Sequence, residues 1–338
     1  MKSYLIILMI FCPLWGAAMS VPPTVLQEKP GPSRTAWVPI GKAYGKNYST
    51  SKITKVVMLG TGTPTPDPRH DGISVAIIVN DKPYIFDAGP GLWRSSAAMT
   101  PAWGGPFQAL EAKNLNILFL THLHADHTEG LPSFILSPWG HARTTQPQIY
   151  GPPGTLRMVK KINEAYEKTI GIELFSLQHL SPAGWKSITQ EIMPGNDYHD
   201  DNVTITAFEN NHGTWDYSYG YRITTPDRVI ILSGDTAPYE GMVKNYANAD
   251  ILIHEGYSIK GFSDSQFLNK AYMESFHTST HQLAQILNKS QPKVTILYHF
   301  KNFNTPDNPH YDDNLGVKEV KQYGYPGLVI QSQDGDIY

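Results

Sequence analysis

The seven residues Thr121-His122-Leu123-His124-Ala125-Asp126-His127 decide how the rest of this chain is read. They follow residues 117–120, a short apolar run of strand-like composition. In extended backbone His122 and His124, two positions apart, point to the same side. Asp126 and His127 arrive as the chain turns towards Gly130. Four ligand-type side chains at the mouth of a strand can surround two neighbouring cations. Imidazole suits zinc, and carboxylate oxygen completes its shell. A single histidine on an apolar face is usually a satisfied core residue, but four ligand types at this spacing point to metal.

Two cations need more ligands than one loop supplies, and three further strand ends offer them. His212 stands in Asn210-Asn211-His212-Gly213 after the run 203–208. Asp235 stands in Ser233-Gly234-Asp235-Thr236 after 229–232, and His299 follows 294–298. Strand ends are where α/β folds build their sites. A carboxylate such as Asp235 can bridge two cations, which an imidazole does not readily do.

Working outward, short runs rich in β-branched residues recur at 56–59, 75–79, 84–86, 117–120, 203–208, 229–232, 251–253 and 294–297. Most are bounded by Gly, Pro, Asp or Asn, the punctuation of strands. Helical spacing of apolar residues is found at 155–168, through Leu156, Val159, Ile162 and Tyr166, and at 280–289, through Leu283, Ile286 and Leu287. Strands alternating with helices predict a layered α/β domain over 53–338.

Of the 338 residues, 41% are hydrophobic and 17% charged, which supports a large core and excludes a disordered chain. A net charge of -3 provides no basic field for nucleic acid. Residues 1–20 read as a signal peptide: Lys2, an apolar run over 4–15 too short to span a bilayer, then Ala17, Ala18 and Ser20 for cleavage. A periplasmic or secreted chain follows, with no membrane attachment after removal. The one cysteine, Cys12, leaves with that segment, so metal must be held by His and carboxylates. Residues 21–52, rich in Pro, Gly and Ser, read as an extended arm, either a floppy leader or an arm packed on a partner subunit in a homodimer.

The strings Gly60-Thr61-Gly62-Thr63-Pro64, Phe86-Asp87-Ala88-Gly89, His122-x-His124-x-Asp126-His127, Ser233-Gly234-Asp235-Thr236 and His299 occur in the order seen in metallo-β-lactamase-fold hydrolases. With Arg69, Ser74 and His277-Thr278-Ser279-Thr280, the chain resembles the branch containing ribonuclease Z, phosphodiesterases and the zinc-dependent arylsulfatases of that fold. The resemblance runs from about Lys55 to the C-terminus and implies an α/β, four-layer αββα sandwich with two Zn2+ per chain. It implies His122, His124 and His212 on one zinc, and Asp126, His127 and His299 on the other, with Asp235 bridging. It makes Asp87 a carboxylate orienting a ligand, Asp126 the residue that positions the attacking hydroxide, and His277 the proton donor to the leaving group. His254-Glu255 resembles the family's His-Glu-Ala-Thr segment but reads His-Glu-Gly-Tyr here, and takes at most a supporting place. His70, His141, His179, His199, His281 and His310 read as ordinary histidines, with Trp139 and His141 at a pocket rim.

For the substrate, the first expectation is an aryl or alkyl sulfate ester, which suits an exported acidic protein of this branch. The alternative is a phosphodiesterase, including a ribonuclease Z-like enzyme. Export, net acidity and the lack of a basic Gly/Pro-rich insertion count against tRNA, since 169–202 carries little positive charge. A redox or purely metal-binding module is disfavoured by the intact His124, and a true β-lactamase by Asp235. The aromatic residues Trp139, Trp215, Tyr217 and Phe300 would suit an aryl group.

Overall fold

The computed structural model describes residues 46–265, 269–303 and 312–338. The expected signal peptide, most of the arm and His310 lie outside them.

Strands β1 Thr54–Gly60, β2 Ser74–Val79, β3 Lys82–Phe86, β4 Ile117–Phe119, β5 Gln148–Gly151 and β6 Ile188–Glu191 form one sheet in chain order. The first three are antiparallel and the last four parallel. A second sheet takes β7 Asp197–His199, β8 Thr204–Glu209, β9 Tyr219–Thr224, β10 Val229–Leu232, β11 Ile251–Tyr257, β12 Val294–Lys301 and β13 Leu328–Gln331, in the order β13-β12-β11-β10-β9-β8-β7. From β10 to β13 the strands are parallel. Parallel neighbours require crossovers; helices Met242–Tyr246, Thr280–Ser290 and Leu315–Gln322 provide them here.

The two-residue alternation of a strand builds four layers from these sheets. In β1, Val56 and Met58 turn towards the space between the sheets, while Val57 and Leu59 face the helices outside. In β2, Val75, Ile77 and Val79 face inward, and Ala76 and Ile78 face outward. Across the gap they meet Ile205, Tyr221, Ile230 and Ile253 of the second sheet. Leu131, Phe134, Ile135 and Val159 cover the outside of the first sheet. Leu283, Leu287 and Val320 do the same for the second. This is the expected αββα sandwich. Burial of both faces explains why the strands read as continuous apolar runs.

Three local expectations are corrected. The helix expected over 155–168 stops at Ala165, where Tyr166 takes φ -103°, ψ 13°, and a second helix Glu167–Phe175 follows. Tyr166 keeps the apolar spacing across the break, so periodicity could not reveal it. His299 does not follow its strand but lies within β12, at φ 45°, opposite a register shift between His254 and Gly256 of β11. Trp139 is buried and donates to the Ser181 carbonyl, while His141 packs on Trp93; neither lines the cleft described below.

Candidate metal centre

The seven sequence-predicted ligands converge. The loop after β4 brings His122, His124, Asp126 and His127; His212 follows β8, Asp235 follows β10, and His299 comes from β12. The sheets are tied at this rim by Tyr219 N–H donating to the Thr121 carbonyl (2.9 Å) and Tyr221 hydroxyl donating to the Leu120 carbonyl (2.7 Å). Gly234 allows the turn into Asp235: its φ is 61°, and a Cβ there would stand 2.4 Å from the Tyr219 carbonyl oxygen.

Two ligand groups share one carboxylate. His122, His124, His212 and Asp235 present ligand atoms within 4.8 Å of one another, and so do Asp126, His127 and His299. His124 Nδ1 lies 2.9 Å from His122 Nε2 and 3.1 Å from His212 Nε2. Asp235 Oδ2 lies 3.9 Å from His212 Nε2. Its other oxygen, Oδ1, is 3.5 Å from His127 Nε2 and 3.6 Å from His299 Nδ1. Around a tetrahedral zinc with bonds of about 2.0–2.1 Å, ligand atoms stand about 3.3 Å apart. The observed separations bracket that value.

Whether these residues fit a cation can be judged from what they leave unsatisfied. His127 Nε2, Asp235 Oδ1 and His299 Nδ1 are buried, lack hydrogen-bond partners and converge on one point. Such groups normally find partners. The outward nitrogens are already engaged: His122 Nδ1 with Thr121 Oγ1 (3.0 Å), His127 Nδ1 with Asp87 (2.8 Å), and His212 Nδ1 with the Phe276 carbonyl (2.8 Å). Bonding the outer nitrogen fixes the ring and turns the inner one to a metal. His124 is arranged differently: its Nε2 accepts from the Trp215 indole at 2.6 Å, so Nδ1 carries the proton in this arrangement. A cation taking Nδ1 requires that proton to move and the indole to shift.

Electrostatics agree with the fit. Burial pushes His122 well below the ordinary histidine range, lowers His124 and brings His212 to about 3, so all three are neutral, as metal ligands must be. For His127 burial works in the same direction, but Asp87, Asp235 and Asp126 outweigh it and raise the ring well above its usual value. Asp87 holds Nδ1, while Asp235 and Asp126 face Nε2 at 3.5 and 3.6 Å and gather negative charge where a cation would meet the ring.

Beside Asp235 lies a pair that the sequence only half revealed. His277 is buried and directs Nδ1 to Glu255 Oε2 at 3.1 Å; its Nδ1 is 3.9 Å from Asp235 Oδ2. Thr278 N–H donates to Glu255 Oε1 at 2.8 Å. Burial and the Asp235 charge push Glu255 well above the carboxylate range, while burial brings His277 down to about 3. The sequence carries two signals for Glu255, its place in the His254-Glu255-Gly256-Tyr257 segment and a carboxylate that directly follows the apolar strand-like run 251–253. Ser279, not His277, caps helix Thr280–Ser290, in a capping box with Gln282.

Buried imidazoles and carboxylates at the strand ends of an αββα sandwich define a metal-dependent hydrolase of the metallo-β-lactamase fold. The chain belongs to the beta-lactamase superfamily, whose domain model matches residues 83–300. It is 27% identical over 254 residues to a ribonuclease Z of Mycolicibacterium gilvum, covering 73% of this chain and 84% of that one. The YhfI protein of Bacillus subtilis shares the fold at a TM-score of 0.62 and 18% identity, over 84% of this chain and 99% of the other. Human tRNase Z, short form, does so at 0.58 and 21%, over 84% and 98%. The ribonuclease Z relatives overturn the sulfate-ester expectation and the closeness to arylsulfatases. That preference rested on branch resemblance and export, with no residue that reads sulfate.

Proposed function

We propose that this chain hydrolyses phosphodiesters with two zinc ions. His122, His124 and His212 would hold one, Asp126, His127 and His299 the other, and Asp235 both. The observation that carries this reading is Asp235 itself, whose two oxygens address two separate histidine groups. The kinship with ribonuclease Z supplies the phosphodiester. When bound, the ions supply Lewis acidity, bringing the pKa of water towards about 7 and offsetting charge on the phosphoryl oxygens.

The remaining work falls to the chain's own groups. Asp126 orients the attacking water through its carboxylate. Its Oδ2 is steadied by His299 Nε2 at 3.0 Å. As the new P–O bond forms and the bond to the departing alcohol breaks, the neutral His277 ring gives that alcohol's oxygen its Nε2 proton, and the protonated Glu255 replaces it through Nδ1. Glu255 positions the His277 ring and shares the proton at Nδ1, while the Thr278 N–H holds Glu255 in place.

Hydrolysis of bis(4-nitrophenyl) phosphate and of 4-nitrophenyl sulfate by the zinc-loaded protein, with and without chelator, tests this. Chelator-sensitive turnover of the diester is expected. A protein that holds two metals yet leaves the diester intact would sink the proposal.

A further inference from the structure

Against the metal centre lies a cleft of about 670 Å³ that no step above uses. It borders the centre in two places. Thr61, on its wall, accepts the His299 N–H at 3.0 Å, and Phe300 and Lys301 continue β12 beyond His299. Tyr272, also on its wall, stands 6.3 Å from the His277 ring and stacks on Phe276 at 4.3 Å. The cleft therefore adjoins the proton-donating side, where the departing part of an ester lies. Its volume falls within the range of about 300–1,000 Å³ usual for small-molecule sites.

The charges along the cleft are few. Among the described residues lining it, Lys301 is the one lysine or arginine. The carboxylates Asp67 and Asp313 both face Arg69, at 2.6 and 3.4 Å. The half-buried Lys301 has no ion pair or side-chain hydrogen bond within the described residues. A chain of nucleotides is gripped by neutralising many phosphates; one lysine matches one. Tyr272, Phe300 and Phe303 give the cleft aromatic walls.

We propose that Lys301 and this aromatic cleft determine specificity, admitting a small ester with one phosphate and one aromatic ring in preference to a polynucleotide. This deepens the phosphodiesterase reading and rests on it.

The test is isothermal titration of the zinc-loaded full chain with adenosine 5′-monophosphate and with ribose 5-phosphate, which lacks the ring. The ringed ligand is expected to bind about fivefold or more tightly. Lys301→Met should weaken both about tenfold, with Lys301→Arg restoring most of the loss. Tyr272→Leu should reduce the ratio between the two ligands. Equal affinity for the two ligands, no binding of either, or indifference to Lys301→Met would overturn the proposal. Diester turnover by the same wild-type sample separates the two readings. Turnover with Lys301-independent binding removes only the subsite, whereas Lys301-dependent binding without turnover removes only the hydrolytic assignment.

Discussion

Asp235 is the residue on which the centre depends. It is buried, and burial would favour its protonated form, yet His299 and His127 hold it well below the carboxylate range. Asp235→Ala should release at least one zinc per chain and lower kcat/KM on a diester by at least about 100-fold. Mass-spectrometric metal analysis beside the assay checks both, and full activity with two zincs retained refutes bridging. In the proposed reaction Glu255 acts only through His277, to which its carboxylate is hydrogen-bonded. Glu255→Gln should lower kcat by about 10–100-fold and shift the pH–rate profile, with little change in KM. A stability defect alone would leave that profile in place. His70, which reads as ordinary, takes part in a clamp: its Nδ1 is 2.9 Å from Thr61 Oγ1 and 3.5 Å from Asp334, whose carboxylate also accepts the Thr61 and Asp71 N–H groups. Asp334 raises the His70 pKa in the folded state. The stability this contributes is fully present below the unfolded value of about 6.5 and lost as pH rises through the folded one. Thermal melts at pH 6 and pH 8.5 should show a smaller difference for His70→Gln than for wild type.

Among the elements, legibility followed burial. β1, β2, β10 and the core of β11 are buried on both faces, so their sequences are unbroken apolar runs that stand out from their surroundings. β6, largely exposed at a sheet edge, and β9, where Tyr219, Tyr221 and Ile223 alternate with Gly220, Arg222 and Thr224, present no such run. Neither strand stands out in the sequence for that reason. His299 was recognised as a candidate, but its left-handed backbone within β12 was not. A positive φ in a histidine is held by its surroundings, here the Thr61 carbonyl and the offset opposite β11. Glu255 was undervalued because its partner His277 lies 22 positions away and only the fold joins them. Arg143 carries no sequence signal of its place. It is fully buried and donates to the carbonyls of Gly184, Leu115, Phe134 and Ile135, tying one helix to two loops. Burial brings its pKa down to about 9. Arg143→Met should cost about 3 kcal/mol by leaving those acceptors unpaired, measured as a lower urea midpoint at unchanged m-value.

At the scale of the molecule, two sheets that share a hydrophobic interior deliver ligands from opposite sides to one rim. The His-x-His-x-Asp-His loop comes from the first sheet, and His212, Asp235 and His299 come from the second. A cation bound there fastens the sheets together, so metal binding adds to folding stability by mass action. The order of motifs makes this arrangement legible in the sequence. Substrate chemistry was not legible, because the same ligand set serves several esters and the residues that choose among them line a cleft assembled by the fold. The most direct test of the central claim is a zinc titration of chelator-stripped protein, followed by bis(4-nitrophenyl) phosphate turnover. Two ions bridged by Asp235 require activity to rise until two equivalents are bound and then level off. Saturation at one equivalent, or turnover in the stripped protein, would contradict the account.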